Sequence, residues 1–130
     1  MRIPANIYDE LLEHAREEAP NECCGLIGGT DGVAKTIYRA RNAEASPLRY
    51  NLDPQDQFRI MTEMEERGEE LSAIYHSHTE SPAYPSQTDI NLAAYPDTLY
   101  LIVSLVDGEK PLRGFHITDG EVAEVDVTVE

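Results

Sequence analysis

The sequence predicts a single α/β (α+β) domain over residues 1–130, built on a mixed β-sheet with about three helices. Three observations lead there. Apolar positions at helical spacing alternate with short strand-like runs early in the chain, and strand-like runs cluster late. Apolar residues make up 41% of the chain, enough for a core and too many for a disordered segment. The 130 residues suit one hydrophobic core, with no linker, internal repeat or low-complexity stretch to divide them.

The elements follow in order. Ile7, Tyr8, Leu11, Leu12 and Ala15 have the spacing of one helix face, predicting a helix over 6–18 that Pro20-Asn21 ends. CCGLIGG reads as a short buried strand running into a Gly-Gly turn, with a second strand near Val33–Arg41. NAEASPLRYNL is a connector with little periodicity. Asp53-Pro54 supplies an N-cap and a first-position proline for a helix to about Arg67, closed by Gly68. Leu71–His78 is the next strand, and Ser86 opens a third helix reaching about Tyr95. Thr98–Val106 is apolar and β-branched, a central strand. Asp107-Gly108 and Asp119-Gly120 are turns beside strands near Leu112–Ile117 and Val122–Val129.

Charge excludes several roles. Ten basic against 25 acidic residues leave a net charge of −15, which repels phosphates and anionic lipid. Neither nucleic acid nor a membrane is therefore expected as a partner. Arg39, Arg41 and Arg49 fall near one another, as a local positive spot or as scattered surface charge. No apolar run approaches the roughly 18–20 residues of a membrane helix, and MRIPANIYDELLEHA has no apolar signal core, so a cytoplasmic location is expected. Cys23 and Cys24 are adjacent, which suits neither an unstrained disulfide nor a zinc motif; they read as buried residues beginning a strand.

The chemistry concentrates in HSHTESPAYPSQTD, residues 76–89. On a strand, residues i and i+2 share a face, so His76 and His78 present two imidazoles side by side. Such a pair can bind Zn²⁺ at about 2.0–2.1 Å per nitrogen, although alternate histidines also occur on plain sheet surfaces. The loop 79–85 is short enough to return Asp89 to the histidines, yet Glu80 is a rival third ligand. Ser86-x-x-Asp89 is also a capping box that needs no function. Spacing alone does not select a general base among so many acids. Ser77 faces away from the histidine pair, which argues against a Ser-His hydrolase, and His14 and His116 read as structural or surface residues.

The run His-x-His, seven residues, then Ser-x-x-Asp resembles the signature of the JAMM (MPN+) metalloproteases, whose upstream glutamate is matched by Glu22 in NECCGLIGG. NAEASPLRYNLDP, AYPS and LYLIVS extend the likeness along the chain to the compact bacterial branch. The resemblance implies a curved mixed sheet of the MPN/JAMM, cytidine-deaminase-like fold. It implies Zn²⁺ held by His76, His78 and Asp89. Glu22 would take a proton from the attacking water and pass it to the leaving amine, and the Ser86 hydroxyl would donate to the oxyanion. The deaminase pattern H-x-E with P-C-x-x-C is missing, which argues against nucleobase chemistry.

The branch includes peptidases acting on ubiquitin-like sulfur-carrier proteins, so the resemblance implies a zinc peptidase cleaving after a C-terminal Gly-Gly, releasing cysteine or another amine. Tyr84 and Tyr50 are candidates for gripping that tail. The short span from Glu22 to His76 leaves no room for the insertions with which larger relatives hold ubiquitin chains. Two alternatives stand beside this reading. One is a general isopeptidase that strips small modifiers from lysines. The other is a non-catalytic MPN-type scaffold, which would need none of the five site residues.

Overall fold

A computed structural model describes residues 1–130. Its elements run β1 (Arg2–Ile3), α1 (Ala5–Glu18), β2 (Cys24–Thr30), β3 (Val33–Ala40), α2 (Pro54–Glu66), β4 (Glu70–His78), α3 (Gln87–Leu92), β5 (Leu99–Ser104), β6 (Leu112–Thr118), β7 (Glu121–Val125) and β8 (Thr128–Val129). One eight-stranded sheet has the order β7-β6-β5-β4-β2-β3-β1-β8. The β4–β5, β1–β3 and β1–β8 pairs are parallel and the rest antiparallel, so the sheet is mixed, as expected.

The connectivity requires the sheet to curve. Its two edge strands, β7 and β8, are joined by Asp126 and Val127 alone. Three Cα steps span at most about 11 Å, whereas eight flat strands would separate their edges by roughly 33 Å. The sheet therefore curls until its edges approach. This corrects the expected single strand over 122–129: the chain pairs first with β6, then crosses to β1. The two-residue β1 also escapes the periodicity analysis.

The third helix ends at Leu92, three residues before the expected Tyr95. The cause is local. The Tyr100 hydroxyl accepts hydrogen bonds from the backbone N–H groups of Ala94 and Tyr95, each at 3.1 Å. Pro96 then disfavours helical backbone at Tyr95. The other start signals behave as the sequence indicates: Asp53 caps α2 by accepting from Asp56 N at 3.1 Å, with Pro54 following.

Helices cover both faces of the sheet. Ile7, Leu11 and Ala15 of α1 pack with Ala73 and Tyr75 of β4, while Ile60 and Met64 of α2 pack with Ile74 on the other face. Residues 73–78 of β4 are all buried as a result. Gly25 permits this packing, because a Cβ there would collide with the Tyr75 ring and the Tyr38 carbonyl. The arginines make no positive spot: Arg39 pairs with Glu10 and Glu17, Arg41 with Asp53 and Asp56, and Arg49 with Glu44. No helix is long and apolar enough to cross a membrane.

His14 is one of the polar groups inside this packing, with Nδ1 at 2.7 Å from the buried Tyr75 hydroxyl. Burial, aided by Arg39, lowers its pKa from 6.5 to about 4. The folded value lies below the unfolded one, so its stabilisation is complete above about pH 6.5 and is lost as pH falls towards 4. The size is on the order of 3 kcal/mol. Urea unfolding of the parent should weaken from pH 7 to pH 4.5 by more than that of His14→Gln; parallel losses would reject the assignment.

Candidate metal centre

Strand periodicity and a capping box build this site. His76 and His78 lie two residues apart on β4 and project on the α2 face. After a loop, Ser86 caps α3: its Oγ accepts from Asp89 N at 3.1 Å, and its own N–H donates to Asp89 Oδ2 at 2.9 Å. The box holds Asp89 with Oδ2 at 3.1 Å from His76 Nε2 and 3.0 Å from His78 Nε2. The three ligand atoms all lie within 4.8 Å of one another, and all three residues are buried.

The surroundings select the charge that fits between them. His78 Nδ1 lies 2.8 Å from the Pro82 carbonyl, which can only accept, so Nδ1 carries a proton. A neutral His78 then turns a lone pair towards the Asp89 carboxylate. Two acceptors at 3.0 Å are held together by a shared proton or by a cation. Burial pushes the Asp89 carboxyl up, but hydrogen bonds from both histidines and from Ser86 N–H outweigh it and hold the group well below the usual range. Burial pushes His76 down. It opposes His78 too, where the Asp89 and Pro82 hydrogen bonds win and raise the imidazole.

Glu22 stands two residues before the start of β2. Cys24 is in register with His76, and continuing the antiparallel ladder two residues sets Glu22 across from His78. Its carboxylate is buried, with Oε1 unpartnered. Burial, opposed by His78 and reinforced by Asp89, raises its pKa to about 8. An unpaired buried carboxyl is costly, and here it borders three converging ligands. Those features fit a cation. Cys23 and Cys24 are free and buried on opposite faces, with thiols pushed up to about 11 and about 12 by burial, and neither belongs to the group of converging ligands.

The structure thus gathers His76, His78, Asp89, Ser86 and Glu22, and leaves the rival Glu80 exposed and outside the cluster. Ser77 points to the opposite face, where its Oγ accepts from Cys23 N at 2.8 Å. Of the two tyrosines, Tyr50 reaches the site: its ring stacks on His76 with centroids 4.3 Å apart. Tyr84, half exposed, packs edge-on against Phe115 and beneath Arg113. Behind Tyr50 a cleft of about 330 Å³ is walled by Leu52, Ile74, Leu92, Tyr95 and Tyr100, with Arg49 at its rim. Sequence reasoning missed the Pro82 carbonyl, since it belongs to no periodic pattern or spaced motif.

Known proteins share this sequence pattern and fold. A family profile described as prokaryotic homologues of the JAB domain matches residues 4–117. The chain is 40% identical to the CysO-cysteine peptidase of Mycobacterium tuberculosis, over 98% of this chain and 89% of that one. It is 37% identical to a desampylase of Haloferax volcanii, covering 100% of this chain and 96% of the other. Among solved structures, DSY2949 from Desulfitobacterium hafniense superposes with a TM-score of 0.90 at 34% identity, covering 100% and 93% of the two chains. AF2198 from Archaeoglobus fulgidus, a JAB1/MPN domain protein, shares the fold at TM-score 0.67 and 22% identity, covering 99% and 98%. With the profile spanning most of the chain and near-full-length relatives above 30% identity, the chain belongs to the prokaryotic JAB-domain family.

Proposed function

We propose that this chain is a zinc-dependent peptidase that hydrolyses the amide after the C-terminal Gly-Gly of a ubiquitin-like sulfur-carrier protein, releasing cysteine or another amine. The carrying observation is three buried ligand atoms beside the unpartnered carboxylate of Glu22. The peptidase relative at 40% identity supports the substrate class. The desampylase relative, matched over 100% of this chain, supports conjugate cleavage as the second reading.

His76 Nε2, His78 Nε2 and Asp89 Oδ2 would hold the metal, and two imidazoles with one carboxylate form a donor set suited to catalytic zinc. Bound there, Zn²⁺ supplies Lewis acidity and lowers the pKa of coordinated water to about 7. The protein's own groups do the rest. Pro82 fixes the His78 tautomer, leaving Nε2 free to bind. Glu22 accepts a proton from the attacking water and delivers it to the leaving amine; a cation held by the three ligands would pull its pKa down and keep it ionised as a base. The Ser86 hydroxyl serves two ends. Its oxygen accepts the cap bond from Asp89 N, and its proton remains to donate to the oxyanion. Tyr50, stacked on His76, walls the cleft that would receive the extended tail. Gly-Gly suits such a tail because it has no side chains to clash.

Intact-mass analysis of a Gly-Gly-ended sulfur carrier extended by one cysteine should show loss of that cysteine, blocked by chelator. Cleavage of lysine-linked conjugates alone would move the assignment to the general isopeptidase. Glu22→Gln should retain one zinc and lose about 10²- to 10⁴-fold in kcat; full activity would remove it as the base. Asp89→Ala should lose zinc in dialysed samples assayed for metal, with activity falling in step. A fully metallated, active Asp89→Ala protein would overturn the ligand set.

A further inference from the structure

Asn42 lies in the connector between β3 and α2, and its amide makes four hydrogen bonds. Nδ2 donates to the carbonyl of Glu22 at 3.1 Å and to that of Arg49 at 3.0 Å. Oδ1 accepts from the backbone N–H groups of Glu44 and Asn51, each at 3.0 Å. A primary amide has two donor hydrogens and two acceptor lone pairs, so this side chain is fully used. The amide cannot be turned over, since that would set its oxygen against two carbonyls. Aspartate has no donors for those carbonyls, and glutamine is one methylene too long to repeat the geometry.

These four bonds join the two halves of the site. On one side is the backbone of Glu22, whose N–H also donates to the connector, to Ser46 O at 2.9 Å. On the other is residues 44–51, which carry Tyr50 against His76 and form one wall of the cleft. The connector has little regular structure of its own, only the bridge Asn42↔Leu52, and Ala45 sits at φ 45°, a conformation that costs energy without glycine. Such a segment keeps one shape when its polar backbone groups have fixed partners. Asn42 supplies three of them, to Glu44, Arg49 and Asn51, and ties the same point to Glu22.

We propose that Asn42 is a positioning residue for this enzyme, clamping the backbone of Glu22 to the Tyr50 wall so that the proton-transferring carboxylate and the cleft hold one mutual geometry. The role rests on Glu22 acting as the base. Asn42 itself touches none of the three metal-ligating residues through these bonds, so its loss should act on catalysis rather than on metal affinity.

Asn42→Asp separates the clamp from the fold of the connector. It retains acceptors for the N–H groups of Glu44 and Asn51 but loses both donations, to Glu22 and to Arg49. The folded variant should bind one zinc with parental affinity and show a kcat lower by about 10- to 100-fold, the scale of a small misplacement of a catalytic group. Backbone hydrogen exchange at Glu22 and Cys23 should quicken while β4 stays protected. Asn42→Ala should extend the faster exchange to residues 44–51. Three results would overturn the proposal: kcat within twofold of the parent, loss of zinc along with activity, or a rise in KM alone with Glu22 exchange unchanged. If the parent cleaves no Gly-Gly-ended carrier, the substrate reading has failed, and the exchange measurement decides the clamp by itself.

Discussion

The antiparallel pairing of β2 with β4 places Cys24 opposite His76, and most relations at the candidate metal centre are consequences of that register. One ladder step outward, Cys23 and Ser77 bond through Ser77 N to Cys23 O at 3.2 Å and through Cys23 N to Ser77 Oγ at 2.8 Å. The next step leaves Glu22 facing His78. Because side chains alternate along a strand, a slip of one residue would send both histidines to the α1 face and move Glu22 off its partner. The serine between the histidines is therefore a registration pin on the far face of the sheet.

Such a site is expensive to bury. Glu22, His76, His78 and Asp89 all lie within the core, on the face where α2 packs Ile60 and Met64. Removing charged groups from water costs several kcal/mol each unless they are paired. Asp89 offsets its burial through two imidazoles and the Ser86 N–H, whereas Glu22 Oε1 has no partner. The packed sheet has to over-determine this arrangement for it to persist. Edges drawn together by a two-residue link and helices covering both faces provide that rigidity. A cation among the ligands would then turn an electrostatic cost into a gain.

The less regular parts of the chain divide the remaining work. The loop 79–85 contributes the Pro82 carbonyl that orients His78, and the connector before α2 contributes Tyr50 and Asn42. Function on loops held by a rigid sheet is a common division, since loops can be reshaped without disturbing the core. Here the loops are tied back to the strands by side chain-to-backbone bonds. The acidic surface plays no part in these contacts, and Arg39, Arg41 and Arg49 are already paired with acidic groups.

By itself the sequence determined whatever depends on short spacing. His76 and His78 share a face because strands have a period of two; Ser86 and Asp89 form a capping box because they are three residues apart; Asp53-Pro54 opens a helix for equally local reasons. Glu22 came from the resemblance to a family signature rather than from spacing. Only the tertiary structure showed Asp89, and not Glu80, beside the histidines, because that turns on where a loop folds back. The split of the last strand and the early end of α3 were equally beyond local pattern. One follows from curvature that brings β7 and β8 together, the other from a Tyr100 hydroxyl delivered by the next strand. Asn42 is the clearest instance: its four bonds join residues 22, 44, 49 and 51, and nothing in the local sequence around it encodes a partner twenty residues away.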